Sequence, residues 1–267
     1  MTADTLARRP RSTRAAAALL ALVTLLATAA PVSASAWRAV DGTVGTAAVA
    51  RDGGTGTARQ LAPAALPAWD GTINLYRDGV FTTQKTWRWC TAADVQIMRN
   101  IVDRETDHSR AGQEHYWDYM RDHNRYPIPA SDGVDPKGWT AGLRRFVDDR
   151  YRLVASGSFK AALRSAVRAL RETNLPVGIT VADGSHAWVL TGFAATADPA
   201  VTDRFTVTSV RVVGPLWGLQ STSYGYDMRP NKRLTRDQFR GFFTPWHYGP
   251  IRMVWEDRWV SVQPIGD

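Results

Sequence analysis

The chain holds a single cysteine, Cys90, so no internal disulfide can staple it and its fold must rest on a packed core. This is a strong constraint because the first residues read as an export leader. Arg8, Arg9, Arg11 and Arg14 precede an apolar run over residues 15–30, and Ala34-Ser35-Ala36 supplies the small residues of a cleavage site. The run falls short of the ~18 to 20 residues a membrane helix needs. Residues 1–36 are therefore assigned to a cleaved signal peptide, with the product secreted and without stable membrane insertion. A lone cysteine in a secreted chain is either a small buried apolar side chain or a thiol kept for its chemistry.

Residues 37–68 are rich in Gly, Ala and Thr, and Gly53-Gly54-Thr55-Gly56-Thr57 marks them as a flexible linker or pro-segment. Residues 69–267 remain, about 200 in all and enough for one well-filled core. Apolar residues Val95, Met98, Ile101 and Val102 recur at helical spacing and predict a helix over 91–104. A second helix is predicted over 113–121, with Tyr116, Tyr119 and Met120 inward, and a Pro- and Gly-marked loop over 126–133. Pro136 opens a third helix towards Val147. A short strand over 151–155 is followed by a helix that Ser158 caps and that runs through Leu163, Val167 and Leu170.

The pattern then changes period. Residues 175–181, 186–193 and 205–213 are rich in Val, Ile, Thr and aromatics and predict strands. A late helix over 235–243 precedes two further strands over 251–255 and 259–263. Helices first and antiparallel strands afterwards define an α+β domain. The formal charge is +8, of which the leader arginines against Asp4 supply three, and the remaining basic residues are scattered. Nucleic-acid binding would call for a basic stripe or a known motif, so no nucleic-acid partner is expected.

Cysteine attacks as the thiolate, and the unperturbed thiol, with a pKa of about 8.5, is mostly protonated at neutral pH. A helix N-terminus favours the anion, and a nearby imidazolium favours it more. Cys90 sits where a helix begins, so both effects are expected to lower its pKa. His108, His115 and His123 lie in polar surroundings, and His247 lies on an aromatic turn. His186 follows the turn Asp183-Gly184-Ser185 and opens an apolar strand, as either a catalytic ring or a core histidine bonded to backbone. Gln84 precedes Cys90 by a short offset, and its amide can donate to an oxyanion.

Gln84, the segment Trp89-Cys90-Thr91-Ala92-Ala93, the Leu175-Pro176-Val177-Gly178 run and the strand from His186 to Thr191-Gly192-Phe193 occur in an order that resembles the papain-like cysteine peptidases. The likeness is closest to the bacterial branch of double-glycine leader (bacteriocin-processing) peptidase domains, and it covers residues 69–218. It implies a papain-like fold, an N-terminal helical half followed by an antiparallel β half. It implies Cys90 as nucleophile, His186 as general base and acid, and Gln84 as oxyanion donor. Peptide-bond hydrolysis would pass through a thioester on a peptide or protein substrate, with a monomer and without metal or organic cofactor. Trp89, Trp188 and Trp217, with Trp87, would line the substrate cleft. Two positions depart from the family pattern. Thr91 stands where the family has Gly, and Gly214 stands where an Asn or Asp would orient the histidine. Asp198, Asp203, Asp227 or a backbone carbonyl would have to substitute. The alternatives are a cell-wall amidase or endopeptidase, and an inactive secreted binding domain on the same fold, which the eleven Trp would also suit.

Overall fold

Three helices precede most of the sheet, as the apolar spacing predicts. The computed structural model describes residues 68–219 and 227–266, all within the unit Leu61–Asp267. The signal peptide, and the linker apart from Ala68, lie outside the described residues. Helix α1 spans Cys90–Val102, α2 Arg110–Asp122 and α3 Pro136–Phe146. Ser109 caps α2 by accepting from Gly112 N at 3.1 Å. Asp135 caps α3 with Oδ1, accepting from Lys137 N at 2.8 Å and Gly138 N at 2.9 Å. Its Oδ2 accepts from Arg125 N at 2.7 Å and Tyr126 N at 2.9 Å, so one buried carboxylate also shapes the loop before α3. No side chain caps α1, whose N-cap is Trp89.

A seven-stranded antiparallel sheet follows. Its strands are β1 (Thr72–Asn74), β2 (Tyr151–Ser156), β3 (Val177–Val181), β4 (His186–Ala195), β5 (Val207–Val213), β6 (Lys232–Thr235) and β7 (Trp259–Pro264). The order is β2-β7-β3-β4-β5-β6, and β1 pairs with β4. β3 covers one edge of β4 from His186 to Leu190, and β1 continues along that edge opposite residues 192–194. Helix α4 (Phe159–Thr173), capped by Ser158 as predicted, packs on the sheet face opposite α1–α3. β4 therefore faces two cores. Trp188 and Leu190 point to the α4 side, and Ala187 and Val189 to the α1 side. Burial on both faces explains why its sequence reads as a continuous apolar run.

Two expectations change. Residues 251–255 form a bend, irregular chain and the start of a turn rather than a strand. Two of their apolar side chains, Met253 and Trp255, pack on Ile128 and Trp246 while Ile251 and Val254 are exposed, so burial comes from a loop-to-loop cluster and not from a sheet. The late helix is one short turn, α5 (Arg236–Arg240), started by a capping box at Thr235. The short strands β1 and β6 carry too little apolar alternation to be read from sequence. Among the described residues no helix is long and apolar enough to cross a membrane.

Candidate active site

The first residue of α1 carries the thiol, and the first residue of β4 carries the imidazole. Behind Cys90, Trp89 is buried in the helical core, 6.2 Å from Trp117 between ring centroids, with the Arg110 guanidinium 5.0 Å over its ring. His186 is held by the turn that joins β3 to β4. Ala182, Asp183 and Gly184 take positive φ of 50°, 56° and 84°. For the two non-glycine residues this conformation costs about 1–2 kcal/mol each. Contacts from the segment after α5 hold the turn there. Ala182 N donates to Phe242 O at 3.1 Å, Asp183 N to Thr244 Oγ1 at 2.8 Å, and His247 N to Asp183 O at 3.0 Å. Trp246 packs against Gly184, where a Cβ would come within 2.4 Å of the indole.

The buried His186 ring places Nε2 3.2 and 3.1 Å from the two oxygens of Asp227, whose side chain is only 2% exposed. The same carboxylate accepts from Trp188 Nε1 and from Leu216 N. His186 and Trp188 share this acceptor because residues two apart on a strand face the same way. A Cβ on Gly214 would lie 2.5 Å from Asp227 Cγ and Oδ1. The carboxylate thus stands in the space that a side chain at 214 would fill. Glycine at that position is the room Asp227 needs.

Cys90 and His186 line one cavity of about 510 Å³. Cys90 is half-buried. Loss of hydration, and then the nearby Asp94 carboxyl, push its thiol up to about 12, against hydrogen bonds from Thr91 N and Ala187 N that favour the thiolate. The expectation of a lowered thiol pKa is therefore reversed in direction. The main cause is burial of the sulfur, and the second is Asp94, one helical turn beyond Cys90 and fully buried. Neither of its oxygens has a hydrogen-bond partner among the described residues. Burial, and then the Asp227 charge, raise its pKa well above the usual carboxylate range.

The other predicted site residues are dispersed. Gln84 is buried but outside the cavity lining, and its Nε2 donates to Thr86 O at 2.8 Å. Trp89 and Trp188 are core residues, the first under α1 and the second beside Asp227. Trp217 is 43% exposed in a separate depression beside Arg229 and Lys232. The aromatic wall of the cavity is instead Trp87, Trp139, Trp246 and Tyr248. Asp198 and Asp203 are ion-paired with Arg171 and Arg168, on α4. Asp227 lies beyond the stretch carrying the family likeness, and no local spacing marks it. His247, Glu256 and Asp257 form the one group among the described residues whose donor atoms lie close enough for a metal ion, within 4.8 Å. There, His247 Nδ1 already sits 2.6 Å from Glu256 Oε1.

No protein-family model matches the chain, and no curated protein sequence matches it either.

Proposed function

We propose that this chain is a secreted thiol-dependent amide hydrolase of papain-like type, acting on a peptide bond. The observation that carries the reading is the buried Asp227–His186 pair opening onto the same cavity as a cysteine at a helix start. With Nε2 held on Asp227, His186 would exchange protons with the cavity through Nδ1. Because the thiol is held protonated, His186 acts as general base at the moment of attack. The thiol proton passes to His186 as the sulfur bonds to the carbonyl carbon. The imidazolium then protonates the departing amine nitrogen as the C–N bond breaks. Water, deprotonated by His186, attacks the thioester, and cleavage of the C–S bond returns the thiol and releases the acid. The uncapped N–H groups at the start of α1 supply donors for the oxyanion.

A second reading, a binding domain without turnover, is favoured by the raised thiol. Hydrolysis of a fluorogenic peptide library by the wild-type chain, Cys90→Ser and His186→Ala separates the two. Turnover lost in both variants, with folding intact, is the expected outcome. Turnover that survives Cys90→Ser, or none in the wild type, removes the hydrolase reading. Iodoacetamide alkylation of the wild type should accelerate with pH towards a midpoint of about 12. A midpoint below ~8.5 would instead mean a preformed ion pair.

A further inference from the structure

The cavity beside Cys90 has one closed end. The loop before α3 and the segment after α5 both line it, and they meet there. Ile128 packs with Trp246 and Met253 in a small core of their own. Tyr248 Oη is hydrogen-bonded to Asp132 Oδ2 across the same junction, and Tyr126 Oη accepts from Val254 N at 3.0 Å. A polypeptide running through the site would have to break this junction. A chain end would not. At about 510 Å³ the cavity suits a ligand of a few residues.

The charges on its walls say which end. Asp132 is satisfied, with Oδ1 accepting from Ser131 Oγ at 2.7 Å and Oδ2 bonded to Tyr248. Arg88, two residues from Cys90, is exposed and also lines the cavity; its charge acts on the Asp132 carboxyl, but its guanidinium makes no hydrogen bond or ion pair among the described residues, so its fork of donors is open to a ligand. Guanidinium donors match a carboxylate in a bidentate fork. We propose that the cavity receives the C-terminal end of a peptide, with the terminal carboxylate on Arg88 and an apolar last side chain against Ile128, Trp246 and Met253. The leaving group of the proposed hydrolysis is then the free terminal amino acid. This rests on the amide-hydrolase reading for the choice of a peptide, but its test does not need turnover.

The test is calorimetric titration of the full-length Cys90→Ser chain with N-acetyl-alanyl-alanyl-leucine, as the free acid, as the carboxamide, and extended by three alanines. The acid should bind about 10- to 100-fold more tightly than the other two, the range of one charged hydrogen-bond pair. Adding Arg88→Gln should bring the acid-to-amide ratio close to one, and Arg88→Lys should keep part of it. Equal binding of the three peptides, an unchanged ratio in Arg88→Gln, or binding of none of them overturns the proposal. Wild-type cleavage of the extended peptide at internal bonds, without acid preference, would sink end recognition and leave the hydrolase standing. Acid preference without any wild-type cleavage would do the reverse.

Discussion

Replacing Gly214 with alanine tests the link between a small residue and the carboxylate that holds His186. The added Cβ would lie 2.5 Å from Asp227 Cγ and Oδ1 and 2.7 Å from Oδ2. Ordinary contact requires roughly 3.5 Å or more, so the carboxylate must retreat by about 1 Å. Asp227 is the shared acceptor for His186 Nε2, Trp188 Nε1 and Leu216 N. A buried donor left unsatisfied costs about 1–3 kcal/mol, and overpacking a similar amount. A loss of about 3 kcal/mol is therefore expected, a fall of roughly 6 to 12 °C in Tm for a domain of this size. A misplacement of about 1 Å in the group that aims the imidazole should also lower kcat/KM by about 100-fold. The assay is urea denaturation followed by tryptophan fluorescence, with turnover measured beside it, for Gly214→Ala, Asp227→Ala and the double variant. Once the carboxylate is gone the new methyl has nothing to displace, so the two losses should not add. A Gly214→Ala chain as stable and as active as wild type, or strict additivity in the double variant, refutes the reasoning.

Asp94→Asn should stabilise the fold increasingly as pH rises. Asp94 has its pKa raised in the folded state, so its contribution is complete below the unfolded value of about 3.8 and is lost as pH rises. Above pH ~4 the unfolded chain releases this proton and the folded chain keeps it, which lowers wild-type stability by about 1.4 kcal/mol per pH unit until the folded Asp94 titrates. Urea denaturation from pH 4 to 7 should show that slope vanish in the variant, and parallel curves would mean that Asp94 is charged in the fold. Gln84→Ala should lower stability and leave kcat within about 10-fold of wild type, because its amide serves Thr86 O outside the cavity. A loss of about 2–4 kcal/mol in the barrier would restore it as an oxyanion donor. Trp188→Phe should cost about 1–2 kcal/mol through the lost hydrogen bond to Asp227 and slow turnover, read by denaturation and by kcat/KM.

Local rules were enough for much of this protein. The spacing of Val95, Met98 and Ile101, the Ser158 cap and the Pro136 start fix helices within a few residues of where they fold. The change to period-two and fully apolar runs marks where the central strands begin. That Cys90 opens a helix and His186 opens a strand was readable, because turn and helix-start chemistry is a matter of neighbouring residues. Which side chains meet was not. The carboxylate that holds His186 comes from Asp227, and it fits only because Gly214, on a different stretch of chain, has no side chain. Trp188 is buried rather than exposed because β4 lies between two cores, and no stretch of sequence records both neighbours of a strand. The direction of the thiol shift likewise followed first from burial of the sulfur under the assembled fold, and then from the sealed Asp94 carboxyl. Sequence determined the segments and the places of Cys90 and His186 at their starts, since these depend on local spacing. Tertiary structure alone decided which carboxylate holds His186, the direction of the thiol shift and the meeting of the two segments at one side of the cavity, since burial and contact there are set by groups far apart in the chain.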